Sequence, residues 1–115
     1  MVKDVILDIR TNEEFCSNSG HVCGAILVET PKPPLKKSDI DTLKKKLVVV
    51  LNKENVCKFC HIAVYCKKGI RAGKAVELLK IMGYKNVELL GGVEINPLKN
   101  YIKKGKYKMC KCQRK

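Results

Sequence analysis

Val64-Tyr65-Cys66-Lys67-Lys68-Gly69-Ile70-Arg71, VYCKKGIR, runs without a break into AGKAVELLKIMG at residues 72–83. Ile62-Ala63-Val64-Tyr65 is apolar and β-branched, which predicts a buried strand. Residues 71–82 switch to helical spacing. Ala75, Val76, Leu79 and Met82 share one face, and Gly83 supplies the stop. The stretch therefore reads strand, short glycine-containing loop, helix, with Cys66 at the strand's carboxyl end.

The same alternation continues outward. Val5-Ile6-Leu7-Asp8-Ile9 reads as a buried strand. Thr11 with Glu14 three residues on predicts a capped helix over 12–16. Gly20 and Gly24 punctuate a loop around His21, and Ala25-Ile26-Leu27-Val28 reads as a second strand before the Pro31-Lys32-Pro33-Pro34 loop. From Ser38, with Asp41 completing a capping box, Ile40, Leu43, Leu47 and Leu51 form a helical stripe. Leu47-Val48-Val49-Val50-Leu51 has strand composition as well, so that boundary is open. Asn86-Val87-Glu88-Leu89-Leu90 is a further strand ending in Gly91-Gly92, and a last helix is expected over 95–104. Strands alternating with helices predict an α/β fold, a doubly wound, mostly parallel sheet of four or five strands with helices on both faces. In such a sheet the working site lies beyond the carboxyl ends of the strands, which singles out Cys66.

The chain of 115 residues is one domain's worth, with 24 Lys and Arg against 11 Asp and Glu and a net charge of +13. The expected division is a domain over 1–104 and a basic, cysteine-containing tail over 105–115. No secretory leader and no membrane-length apolar run is recognised, so the expectation is a cytoplasmic protein without membrane contact and with its seven cysteines mostly reduced. The odd cysteine count argues against a simple disulfide framework. A field of this sign attracts anions, whether small oxyanions or nucleic acid, although lysine also serves simply as solvated surface.

A loop leading into a helix N-terminus turns several backbone N–H groups toward one point, and the helix dipole favours an anion there. A cysteine at the head of that loop is expected to carry thiolate at neutral pH. Lys67, Lys68 and Arg71 add positive charge, while Gly69 lets the backbone curl. Ile70 completes the loop.

Taken in order, VILDIRTNEEF at 5–15, GHVCGAI at 20–26 and VYCKKGIRAGKAVELLKIMGYKNVELLGGV at 64–93 resemble the rhodanese family of single-domain sulfurtransferases, over roughly residues 5–95. The resemblance implies a rhodanese-like fold in which Cys66 is the nucleophile. Its thiolate would take sulfane sulfur from an anionic donor such as thiosulfate, a persulfide or a polysulfide. The resulting Cys66 persulfide would pass its outer sulfur to cyanide, a small thiol or a protein thiol, in ping-pong covalent catalysis. The amides of residues 67–71 would cradle the persulfide anion, Arg71 would orient the loop, and Lys67 and Lys68 would favour an anionic donor. Asp8 and Arg10 match supporting polar positions near the site. Neither a cofactor nor a metal is implied.

Two other classes compete. A cysteine-dependent phosphatase or arsenate reductase on the same fold is disfavoured by loop length. The spacing here is Cys-x4-Arg, whereas the related phosphatases use Cys-x5-Arg to make room for a tetrahedral phosphoryl group, and no Asp stands as general acid. A non-catalytic basic module binding RNA or a protein partner is the third. Residues 99–115 carry eight Lys or Arg and no acid, with Tyr101 and Tyr107 interspersed. The chain also departs from the family pattern. It begins almost at the Asp8-Ile9-Arg10 strand, so an edge strand is expected to be absent or supplied by another chain. Ala72 stands where Ser is frequent, and no Trp follows Gly91-Gly92.

Cys57-x-x-Cys60 and Cys110-x-Cys112 invite a zinc or redox reading, with His61 as a further ligand. The wide gap between the pairs is unlike a compact zinc module. Cys60 is at the wrong end of its strand to resolve Cys66, about 20 Å away at ~3.3 Å per residue. A swinging tail would make Cys110 and Cys112 the candidates for a sulfur relay. His21 reads as structural.

Overall fold

The computed structural model describes residues 3–112. Four strands form one parallel sheet: β1 (Asp4–Asp8), β3 (Ile26–Leu27), β4 (His61–Cys66) and β5 (Asn86–Gly92), in the spatial order β3-β1-β4-β5. The expected mostly parallel α/β sheet is thus present with four strands. From β1 the chain first builds outward to β3, then crosses through α2 (Lys37–Lys53) to β4 on the other side of β1, and through α3 (Ile70–Ile81) to β5. The strand order reverses at β1, and the carboxyl ends of β1 and β4 flank the crevice that such a reversal opens.

Alternation along β4 divides its side chains between two apolar layers. Ile62, Val64 and Cys66 join Leu7, Ile9, the α2 residues Leu43, Leu47 and Leu51, and the α3 residues Ala72, Ala75 and Leu79. Ala63 and Tyr65 face the other way, into a smaller cluster with Val22, Leu90 and Leu98, the last from α4 (Leu98–Lys103). Every β4 residue after His61 is buried, as expected of an inner strand covered on both faces.

The open choice at 47–51 resolves as helix, because Leu43, Leu47 and Leu51 recur every four residues on the buried side of α2. That helix starts earlier than its sequence suggests. Lys36 is the N-cap and its N–H donates to the Asp39 carboxylate at 2.9 Å, in place of the expected Ser38–Asp41 pair. The Thr11–Glu14 box at α1 (Asn12–Phe15) forms as expected, with both reciprocal hydrogen bonds.

The stretch beyond 105 is more ordered than its composition suggests. Met109–Cys110 forms β6, antiparallel to β2 (His21–Val22), and Cys23 N–H donates to the Lys108 carbonyl at 2.9 Å. Residues 113–115 of the expected tail lie outside the described residues. Among the described residues, no helix is long and apolar enough to cross a membrane.

Candidate active site

Cys66 ends β4 with its side chain 1% exposed, and the loop folds back over its sulfur. Gly69 N–H points at Sγ from 3.0 Å and Ala72 N–H from 3.4 Å. These are free amides at the start of α3; of the 67–71 loop amides, the hydrogen bonds place Gly69 at Sγ, joined by Ala72 from just outside that range. Gly69 is the helix N-cap and has φ of 91°, a left-handed conformation that costs a glycine little.

Gly91 and Gly92 form the loop's floor. The β4–β5 ladder slips by one residue between Val64 and Tyr65, leaving Leu90 bulged and setting Gly92 opposite Cys66. Val93 N–H then donates to the Cys66 carbonyl at 3.0 Å, and Glu94 N–H to the Lys67 carbonyl at 3.1 Å. A Cβ on Gly92 would overlap the Lys67 backbone, so only glycine allows this approach.

A pocket of about 220 Å³ opens over the sulfur, lined by Glu14, Lys32, Pro33, Cys66, Lys67, Lys68, Ile70 and Arg71. Its charges are not equivalent. Arg71, 3% exposed, donates from both terminal nitrogens to Glu14, at 2.7 and 3.0 Å, and ties the start of α3 to α1. The Arg71 hydrogen bonds hold the Glu14 carboxyl down at about 2, against a burial cost and with help from Thr11. Arg71 Nε is buried without a partner among the described residues. Lys67 lies 3.6 Å from Glu94 on the surface, whereas Lys68 is exposed and enters no ion pair among the described residues.

Asp8 and Arg10 sit behind the site as a fully buried pair. Arg10 Nε reaches Asp8 at 2.9 Å, and its Nη2 bonds both Asp8, at 2.8 Å, and the Gly20 carbonyl, at 2.9 Å. Burial pulls the Arg10 guanidinium down, but the Asp8 hydrogen bond and charge outweigh it and leave it above its ordinary value. Tyr65, beneath Arg10, is raised by burial first and by Asp8 next, and its hydroxyl oxygen accepts the Val22 N–H at 2.9 Å. The group braces β1, β2 and β4 and stays out of the pocket lining. His21 is structural as expected, donating from Nδ1 to the Phe15 carbonyl at 3.0 Å while stacking on the Phe15 ring.

The cysteines depart most from expectation. Cys16 is bonded to Cys112, Cys23 to Cys110 and Cys57 to Cys60, leaving Cys66 as the free cysteine. The expectation of mostly reduced thiols is overturned, and so is that of a swinging tail, since Cys110 and Cys112 are fixed to the β2 segment and to the end of α1. The Cys57-x-x-Cys60 and Cys110-x-Cys112 pairs do not converge on a joint site, because Cys57 and Cys60 are bonded to each other while Cys110 and Cys112 are bonded to Cys23 and Cys16. Glu14, Lys32, Pro33, Gly91 and Gly92 belong to the site although the sequence did not place them there. For Glu14 a partial signal existed, since the capping box already placed its carboxylate in the first turn of α1. The glycine pair carried one as well, at the carboxyl end of the strand next to Cys66.

Comparison with known proteins identifies the family. The family model for the rhodanese-like domain matches residues 1–94. Thiosulfate sulfurtransferase PspE of Escherichia coli (strain K12) is 32% identical over 88 residues, covering 76% of this chain and 69% of that protein. A tRNA uridine(34) hydroxylase of Leptospira interrogans is 33% identical over 101 residues, 88% of this chain, but the chain spans only 24% of that protein's length. Among solved structures, a rhodanese from E. coli with bound anions superposes with a TM-score of 0.59 at 28% identity, covering 81% of this chain and 92% of the other. A rhodanese-like domain from an Anabaena protein superposes with a TM-score of 0.63 at 22% identity, covering 96% and 95%, a likeness of fold. With the parallel sheet, the cysteine loop at the end of its inner strand and a family match over most of its length, the chain belongs to the rhodanese family of sulfurtransferase-like proteins.

Proposed function

We propose that the chain moves sulfane sulfur from an anionic donor, thiosulfate or a persulfide or polysulfide, through a persulfide on Cys66 to cyanide or a thiol. The observation that carries this reading is the free Cys66 sulfur under two helix-start amides at the base of a cationic pocket. With thiosulfate, the Cys66 thiolate attacks the outer sulfur, the S–S bond of the donor breaks, and sulfite leaves with the electron pair. The outer sulfur of the new persulfide carries the negative charge, which the cradle amides and the pocket cations stabilise. Cyanide then attacks that sulfur, thiocyanate departs, and the Cys66 thiolate returns. Arg71 adds its guanidinium charge at the pocket wall. The Cys-x4-Arg spacing keeps the loop one residue shorter than a phosphoryl cradle.

Incubation with thiosulfate tests the reading by mass spectrometry. The Cys66 peptide is expected to gain about 32 Da, one sulfur, and to lose it on treatment with cyanide. A Cys66 peptide that stays unmodified while the protein turns over an aryl phosphate would replace sulfur transfer with phosphoryl transfer.

Donor choice falls mainly to Lys68, whose charge is not neutralised by a neighbour. Lys68→Ala is expected to raise KM for thiosulfate ~3-fold at low salt with kcat nearly unchanged, the mark of lost attraction and not lost chemistry. At 0.5 M salt the difference should shrink toward nothing, because exposed charges are then screened. An unchanged KM at both salt concentrations would remove Lys68 from donor selection. A relay of sulfur through Cys110 or Cys112 requires their disulfides to be reduced first. The cytoplasmic setting expected from the sequence is in tension with three disulfides, which reducing compartments keep open.

A further inference from the structure

Cys57-Lys58-Phe59-Cys60 makes a tight turn immediately before β4, closed by a hydrogen bond from Cys60 N–H to the Cys57 carbonyl at 3.1 Å. It lies at the opposite end of the strand from Cys66, about 20 Å away by strand geometry. The two sulfurs are bonded, with their Cα atoms 5.1 Å apart, and they are placed unequally. Cys57 is exposed, while Cys60 is 1% exposed. Two backbone donors point at Cys60 Sγ, Cys57 N–H from 3.0 Å and Lys3 N–H from 3.3 Å. Lys3 is itself held by His61 N–H, which donates to its carbonyl at 3.0 Å.

That inequality suits thiol–disulfide exchange. The sulfur to be attacked is accessible, and the sulfur that must leave has donors ready for its negative charge. The other two pairs are of another kind. Their cysteines stand 96 and 87 positions apart and tie the C-terminal segment to the α1–β2 region, so reducing them loosens a link between distant parts of the chain. Cys57 and Cys60 are three apart, and α2 and β4 hold the flanking chain in place. This pair alone opens and closes without releasing distant parts of the chain. The turn also offers a contact. Lys58 is engaged with the Tyr84 ring at 4.0 Å and with the Met82 carbonyl at 2.9 Å, while Phe59 stands 68% exposed beside the attackable sulfur. A dithiol suits this site as reductant, because its second thiol resolves the mixed disulfide within one encounter.

We infer that Cys57–Cys60 is a second reactive centre, a thiol–disulfide exchange site that accepts two electrons from a protein dithiol. The first thiolate of the partner attacks Cys57 Sγ. The Cys57–Cys60 bond breaks, and Cys60 leaves as a thiolate under its two amides. The partner's second thiolate then attacks its own sulfur in the mixed disulfide, releasing Cys57. The partner ends as a disulfide, this chain ends as a dithiol, and the partner's two protons pass to Cys57 and Cys60. The centre is independent of the persulfide chemistry at Cys66.

The full chain is incubated with reduced thioredoxin as the dithiol probe, quenched in acid, alkylated and mapped by mass spectrometry. Cys57 and Cys60 are expected to become reduced together, one pair per thioredoxin oxidised, while Cys16–Cys112 and Cys23–Cys110 stay bonded. In a second arm, Cys60→Ser and Cys57→Ser are exposed to oxidised glutathione. Cys57 in the first variant is expected to take up glutathione at least about tenfold faster than Cys60 in the second, following accessibility. Both variants should form the thiosulfate-dependent persulfide at the wild-type level, which separates failure here from failure at Cys66. A Cys57–Cys60 bond that resists reduced thioredoxin, three pairs that reduce together, or equal glutathione uptake by the two variants would each overturn the inference.

Discussion

Cys66→Ser is expected to lower kcat/KM for thiosulfate-dependent thiocyanate formation at least ~10³-fold while leaving the fold intact. The size of the loss follows from what the sulfur does in the proposed cycle. It must attack a sulfane sulfur, hold it through a covalent S–S bond and be expelled again as a good leaving group. A serine hydroxyl stays protonated near neutral pH and forms no comparable intermediate. The fold is spared because Ser Oγ is an acceptor in reach of the Gly69 and Ala72 N–H groups, which aim at Sγ from 3.0 and 3.4 Å. Cys66→Ala removes that acceptor as well. It is expected to lose activity equally but to melt lower, since an unpaired buried donor costs about 1–3 kcal/mol. Steady-state kinetics with parallel thermal melts checks both. A serine variant within tenfold of wild type would move the sulfur-carrying role to another residue.

The order in which strands and helices alternate was legible because each element advertises itself locally. The β-branched run at 62–65 and the apolar face of 71–82 each lie within one window. The cysteine between them could therefore be placed at a strand's carboxyl end before any pairing was known. What stayed hidden depends on residues far apart in the chain. Nothing near Cys110 announces Cys23, or near Cys112 announces Cys16, and the odd count of seven cysteines pointed away from a disulfide framework. The β2–β6 ribbon is hidden for the same reason, since two-residue strands carry no period to read. Gly91-Gly92 was visible as a strand end, yet its purpose appears only once the Leu90 bulge brings it against the Lys67 backbone. Glu14 shows the limit most clearly. Its helix-capping bond was predictable from the spacing to Thr11, but the same carboxylate also closes the active-site loop through Arg71, a contact across 57 positions.

Glu14→Gln should accordingly cost stability in a way that depends on pH. The carboxyl is held at about 2 in the folded protein against an ordinary value of 4.5, with Arg71 as the main cause. A folded-state value below the unfolded one means the stabilisation is fully present above about pH 4.5 and is lost as pH falls through 2. Glu14 is only part-buried and part of the shift belongs to Thr11, so after discounting for solvent screening the expected loss at neutral pH is on the order of 1–2 kcal/mol. The glutamine amide still offers its oxygen to Thr11 N–H, so the cap survives and the loss reports the Arg71 contact. With its counter-charge gone, the buried Arg71 no longer anchors the start of α3, and the Gly69 and Ala72 amides lose their fixed aim at Sγ. kcat should therefore fall along with stability, whereas Lys68→Ala affects KM. Denaturant titrations of the two proteins between pH 7 and pH 2 provide the measurement. The gap in unfolding free energy is expected to be widest at pH 5 to 7 and to close as the wild-type carboxylate takes up its proton. A gap of constant width down to pH 2 would mean that Glu14 is not the charge that Arg71 depends on.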